Sequence, residues 1–188
     1  MSSSDNLEGR LRAIEDVAEI TRLKTLYGEF WDAGWADAPG EGRGDGLAAL
    51  FTEDGIWDGR PVVADVLQGH EEIKRSCDEF ARFNTYAPDG SLRADEAMSI
   101  HFATNPRVDV DGDTAVAKFT GLLLTADAES GRSFWCCGRY IDELVRTDDG
   151  WKFTKVKFHY AMFTPFDGAG WVKERFVGVE FTGDYSAS

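Results

Sequence analysis

Residues 98–125, MSIHFATNPRVDVDGDTAVAKFTGLLLT, open a series of strand-like segments that continues through GRSFWCCGRYIDELVRT (131–147) and WKFTKVKFHYAMFT (151–164). Each segment alternates apolar and polar positions or runs apolar, and turn sequences such as Asp111-Gly112 and Asp148-Asp149-Gly150 separate them. The pattern predicts antiparallel strands in a meander. Upstream the period changes. The apolar positions from Leu11 to Trp31 are Ile14, Val17, Ile20, Leu23, Leu26, Tyr27, Phe30 and Trp31. At about 100° per residue, all but Leu11 and Ile14 fall on one side of a helix that Gly34 ends. ADAPGEGRGDG (36–46) reads as a loop, GLAALF (46–51) as a short helix and GIWDGRPVVADVLQG (55–69) as a hairpin. HEEIKRSCDEFARF (70–83) reads as a third helix, with Glu71 and Glu72 favouring its first turn.

Helices followed by a run of strands predict an α+β domain in which a strongly curved antiparallel sheet wraps over the N-terminal helices. Residues 1–9, Ser-rich and polar, read as a disordered N-terminus. The domain itself spans 10–170. The aromatic, Gly-punctuated tail 171–188 is expected to close the mouth of the domain or to reach a neighbouring subunit.

Composition narrows the partners. The 188 residues carry 34 Asp+Glu against 20 Lys+Arg, a formal charge of −14, so nucleic acid is excluded as a partner. A hydrophobic content of 43% supplies a real core and argues against disorder. No segment has the roughly 18 consecutive apolar residues of a membrane-spanning helix, and the start lacks a basic flank followed by an apolar stretch. A soluble, cytoplasmic protein is expected. Of the cysteines, Cys77, Cys136 and Cys137, the last two should point to opposite faces of a strand, and all three fit a reducing compartment.

The three histidines, His70, His101 and His159, lie in separate elements without a ligand spacing such as HxH, HxxxH or CxxC, so no metal is expected. Nucleotide-binding glycine motifs and a GxSxG elbow are absent from the sequence. Without a cofactor, the chemistry falls to side-chain acids and bases. Histidine suits that work because its unperturbed pKa lies near neutrality. His101, inside an apolar strand, is either a general base or a silent core histidine. His159 either lines the same cavity or sits on the surface.

Asp32 is the candidate partner for His101, since a carboxylate bonded to one ring nitrogen fixes the tautomer and makes the other nitrogen the base. It stands at the C-terminal end of the first helix, where the helix dipole disfavours an unpaired anion. On an ideal helix Asp32 lies about 140° from Tyr27, so both face one cavity only if the helix ends at Asp32. The Tyr27 hydroxyl, on the apolar side, needs a buried partner or a ligand. Arg60 is a candidate for binding an anionic or phenolic group. Trp31, Trp57, Phe102, Phe134, Trp135 and Phe163 supply an aromatic wall for a substrate.

The segments HFATNPRVDVDGDTAVAKF, IEDVAEITRLKTLYGEFWDAG, LAALFTEDGIWDG and WKFTKVKFHYAMFTPFDG together resemble the SnoaL-like, scytalone-dehydratase-like branch of the cystatin-fold α+β barrels, over about residues 10–170. The likeness is closest to the hexachlorocyclohexane dehydrochlorinases and related cofactor-free lyases. The resemblance implies a cone-shaped α+β barrel in which a His–Asp dyad abstracts a proton without a cofactor. It carries the dyad onto His101 of the IHxxTN strand and Asp32 of helix one, with Asp37 as a second aspartate in the neighbourhood, and a catalytic tyrosine onto Tyr27. The implied activity is a lyase in aromatic-compound catabolism that expels water, halide or formaldehyde from a small hydrophobic, aromatic substrate such as a lignin-derived diaryl compound. A homo-oligomer is implied, a trimer before a dimer. Two other readings share the fold: a non-catalytic ligand-binding or dioxygenase-small-subunit-like module, and a ketosteroid-isomerase-like enzyme with Asp32 as base and Tyr27 as oxyanion donor.

Overall fold

A computed structural model describes residues 3–32, 43–62, 66–85, 99–126 and 132–166. Among the described residues, three helices, α1 (Ser3–Trp31), α2 (Arg43–Ala48) and α3 (Gly69–Thr85), accompany six strands: β1 (Phe51–Asp58), β2 (Val66–Gln68), β3 (Ser99–Asp111), β4 (Thr114–Ala126), β5 (Ser133–Thr147) and β6 (Gly150–Pro165). The strands form one curved sheet in the order β2-β1-β6-β5-β4-β3. The meander is there as expected: β3 to β6 pair antiparallel in sequence order. The hairpin of β1 and β2 is also there, but β1 joins the meander by pairing parallel with β6. The fold is α+β.

α1 begins at Ser3, inside the segment 1–9. Two local expectations are corrected. α2 starts at Arg43, inside the stretch read as loop, and Phe51 opens a strand instead of closing a helix. The two segments MSIHFATN and RVDV are one strand, β3, bent by a register shift between Thr104 and Arg107 where Asn105 takes φ 52°. An extra residue in one strand increases local twist, and β5–β6 carries two such irregularities, so the sheet curls around its contents. The tail 171–188 and Asp37 lie outside the described residues.

Register decides which side chains meet. His101, Leu123, Cys136 and Phe163 are laterally paired across β3, β4, β5 and β6 and therefore share a face. That face is the one the helices cover, because His101 Cβ lies against Gly28 of α1. On the same face, paired Gly121 and Gly138 leave room for aromatic rings. A Cβ at Gly121 would stand 2.5 Å from Phe158 Cε2, and one at Gly138 only 2.7 Å from Phe158 Cζ. The buried stripe of α1, Asp16, Ile20, Lys24, Tyr27 and Trp31, recurs every three to four residues and packs on these rings, with Tyr27 edge-on to Tyr140 and Phe153. Of the residues placed on the apolar side, Val17 is exposed, and Ile14, already outside it, is exposed too.

Candidate active site

α1 stops at Trp31, so Asp32 is the first residue beyond the helix; its N–H still bonds back to Gly28 O at 2.9 Å. This termination frees the Asp32 side chain from the ideal helical direction. Its Oδ1 accepts two hydrogen bonds from one residue of β3: His101 N–H at 2.8 Å and His101 Nδ1 at 2.8 Å. The carboxylate accepts at both, which places the proton on Nδ1 and leaves Nε2 as the basic nitrogen. The two side chains are 6% and 11% exposed, so the pair works in a low-dielectric setting where such contacts are strong. The backbone contact matters as much as the ring contact, because it ties the carboxylate to the strand that carries the imidazole.

Tyr27, five residues before Asp32, is buried and its hydroxyl accepts from Trp57 Nε1 at 2.6 Å. Burial pushes the phenol well above its ordinary value, so it stays protonated, a hydrogen-bond donor and not an anion. Because Trp57 occupies a lone pair, the Tyr27 O–H is left to donate elsewhere. Trp31 packs on Trp57 with ring centroids 5.5 Å apart and meets Phe80 of α3 edge-on at 5.6 Å. Tyr27, Trp31, Trp57, Asp32 and His101 are thus brought together at the end of α1. Phe163 shares the His101 face farther across the sheet, stacked on Phe134 at 5.3 Å.

Four expected site residues are elsewhere, three of them because successive strand residues point to opposite faces and Arg60 because Asp58 claims it. Phe102, next to His101, faces outward and is 43% exposed. Trp135, next to Cys136, is also on the outer face and stacks on Phe166 at 4.6 Å. His159 lies between the inward Phe158 and Tyr160 and is exposed, its imidazole held below its usual value by partial burial and by Lys157. Arg60 closes a fork on Asp58 through Nε (3.0 Å) and Nη2 (2.9 Å), and Lys157 Nζ reaches the same carboxylate at 2.9 Å. Asp58 and its cations form an outer-face cluster away from the dyad.

Among the described residues, no group of three or more His, Cys, Asp and Glu is placed to hold a metal ion. His70 is engaged by a backbone carbonyl, Phe51 O, at 3.0 Å. Burial pushes Cys77 up to about 12 and Cys136 higher still, so neither is a nucleophile at neutral pH. Also among the described residues, no helix is long and apolar enough to cross a membrane.

Residues 12–157 match the model of the SnoaL-like domain. The chain belongs to the SnoaL-like family. No curated protein matches it. Solved structures of similar fold include a type 2 hexachlorocyclohexane dehydrochlorinase, at 23% identity over 89% of this chain and 95% of that one with a TM-score of 0.63. A scytalone-dehydratase-like protein from Novosphingobium aromaticivorans aligns at 20% identity over 89% and 93% with a TM-score of 0.59. A protein with a cystatin-like fold from the same organism aligns at 26% identity over 90% and 94% with a TM-score of 0.56. These neighbours include dehydrochlorinase and dehydratase enzymes, and they place this SnoaL-like chain in the cystatin-like fold.

Three features of the site were not legible in the sequence. Arg43, read as part of a loop, is buried and donates through Nη2 to the backbone carbonyl of Asp32. Cys77 Sγ approaches Phe30 O at 3.5 Å from the α3 side. Lys24, a polar position in an apolar stripe, faces Asp142 beneath the tyrosines. The signal for Lys24 was its i, i+3 spacing from Tyr27, which puts it on the buried stripe despite its charge.

Proposed function

We propose that this SnoaL-like protein is a cofactor-independent lyase acting on a small hydrophobic, aromatic molecule, with His101 as general base. The observation that carries the reading is the double contact of Asp32 Oδ1 with His101 N and Nδ1. Nε2 takes the proton, and the buried carboxylate compensates the imidazolium that results. When the proton comes from carbon, the C–H electron pair becomes the new double bond and the leaving group departs with its own bonding pair. Halide leaves as the anion; hydroxide, hydrogen-bonded by the Tyr27 O–H, takes the proton from His101 Nε2 and leaves as water. When the proton comes from a hydroxymethyl group, that carbon departs as formaldehyde. The broken C–C pair then forms the double bond and expels an adjacent oxygen group. The aromatic cluster of Trp31 and Trp57 supports an aromatic substrate.

Incubation with a panel of aromatic diols, aryl halides, hydroxysteroids and diarylpropane diols, followed by product analysis, tests the reading. Turnover of a panel member with elimination, reduced by about 10² to 10⁴ in His101→Gln, is the expected result. Full activity of His101→Gln removes the dyad. An Asp32→Asn loss far exceeding that of His101→Gln indicates isomerase chemistry with Asp32 as base.

A cytoplasmic homo-oligomer, a trimer before a dimer, completes the proposal. Its support is the outer sheet face, where Phe102 and Val116 are exposed. Light scattering of the purified chain tests it, and a monomer at micromolar concentration overturns it.

A further inference from the structure

The end of α1 poses an electrostatic problem. The last carbonyls of a helix lack intrahelical partners and carry the negative end of its dipole. Asp32 adds a buried carboxylate at that point. The chain answers from two elements that follow in sequence. Cys77 Sγ of α3 reaches Phe30 O, and the guanidinium of Arg43 reaches Asp32 O itself. Arg43 is as deeply buried as Asp32, and its Nε has no hydrogen-bond partner. Burial works against its charge. A residue selected only to fill space here would be apolar, because an arginine with an unmet donor is a poor packing choice.

The base of Arg43 is held in place as well. The N–H of Gly44 donates to Asp78 Oδ1 at 3.1 Å, and a Cβ at Gly44 would stand 2.4 Å from that oxygen, so only glycine allows α2 to sit this close to α3. Lys74 clamps the same junction through Asp45 (2.8 Å) and Asp78 (3.1 Å). α3 thus fixes α2, α2 fixes Arg43, and Arg43 grips the backbone of the residue whose carboxylate orients His101.

We propose that Arg43 is a positioning residue of the His101–Asp32 pair. Its bond to the Asp32 carbonyl sets the direction in which α1 ends, so that Oδ1 meets both His101 N and Nδ1; its cation offsets the negative end of the helix dipole beside that carboxylate. This rests on the dyad reading above. Arg43 does not touch substrate in this account; it acts through Asp32.

The test needs no substrate. In the low-field proton NMR spectrum of the free protein, the hydrogen-bonded Nδ1–H of His101 is assigned by its loss in His101→Gln and in Asp32→Asn. In Arg43→Gln that resonance is expected to move upfield or to disappear by exchange with water, while the far-UV circular dichroism stays native. Millimolar guanidinium chloride, but not sodium chloride, is expected to restore it in Arg43→Ala. With a substrate from the panel, kcat is expected to fall about 10²-fold with KM little changed, the signature of a misaligned base.

A folded Arg43→Gln with an unchanged resonance overturns the inference, as does a loss confined to KM. If Arg43→Gln does not fold, Arg43→Lys takes its place: a shifted resonance supports the inference and an unchanged one overturns it. If no low-field resonance responds to His101→Gln or Asp32→Asn, the dyad reading itself fails. If one does respond but ignores Arg43, only the role of Arg43 fails.

Discussion

Lys24 Nζ lies 3.0 Å from Asp142 Oδ2, with the two side chains 1% and 0% exposed. Neither group completes a well-directed hydrogen bond, so the pair is held by charge, and by the faces of Tyr140 and Tyr27, whose ring centroids lie 3.3 and 4.0 Å from Nζ. Removing one member strands the other in the core. Lys24→Met or Asp142→Leu alone is therefore expected to destabilise by about 3–5 kcal/mol, whereas the double replacement is expected to be neutral or stabilising by about 1–4 kcal/mol. Urea unfolding of the three variants checks this.

Burial also fixes how the pair responds to pH. Desolvation lowers Lys24 from 10.5 to about 8, against the pull of Asp142. It raises Asp142 from 3.8 to about 6, against Lys24. From pH 3.8 to about 6 the folded state binds more protons at Asp142, so that contribution weakens as pH rises. From about 8 to 10.5 the unfolded state binds more at Lys24, so that contribution strengthens as pH rises. The pair is least favourable between these windows. The stability gained by the double variant over the natural chain is expected to peak near neutrality in unfolding curves taken across pH.

Gly28 separates helix stability from catalysis. Alanine at a helix interior gains about 1 kcal/mol over glycine. Here the new Cβ would lie 3.2 Å from His101 Cβ and 3.6 Å from its carbonyl oxygen, so the strand must give by a few tenths of an ångström. Gly28→Ala is expected to keep or raise the melting temperature while lowering kcat, because the displaced residue carries the imidazole. A variant with full activity would show that the site tolerates such a shift.

Tyr27→Phe removes the acceptor of Trp57 Nε1 as well as the proposed donor to substrate. Leaving that indole N–H without a partner is expected to lower stability by about 1–3 kcal/mol. A loss of turnover with Trp57→Phe left active would assign the effect to the hydroxyl and not to the packing. Thermal melts and steady-state rates on the two variants distinguish the contributions.

The outer-face cluster is expected to matter for acid stability and not for turnover. Burial acts to raise Asp58, but the bonds from Arg60 and Lys157 outweigh it and hold the carboxyl far below its usual 3.8. A depressed carboxylate contributes stability that is present above 3.8 and lost as pH falls toward its lower folded value. Arg60→Ala is expected to move the acid unfolding midpoint to higher pH with kcat unchanged, and His159→Ala to leave kcat unchanged. A large drop in rate for either would return these residues to the active site.

The meander, the third helix and the hairpin were legible because each rests on a local rule: alternation along a strand, acidic residues at a helix start, Asp-Gly and Pro punctuation at turns. His101 and Asp32 were legible as residue types and from the family resemblance. Their meeting depended on α1 ending at Asp32, a condition the sequence could state but not decide. Phe102, Trp135 and His159 were misplaced because aromatic and imidazole side chains suit either face of a strand. A one-residue choice of register sends them inward or outward. Arg60 was misplaced because the partner that claims it, Asp58, is two residues away and looked like turn chemistry.

By itself, then, the chain's order of residues determined the kinds of elements, their sequence and the chemistry available to them, since these follow from short-range periodicity and from what each side chain can donate or accept. Tertiary structure decided which faces turn inward, that β1 pairs parallel with β6, and that Arg43 and Lys24, charged residues, lie in the interior. The physical reason is range. Propensity and patterning act over a few residues, whereas burial of a charge is settled only by a partner such as Asp142, 118 positions along the chain from Lys24, that packing brings to it.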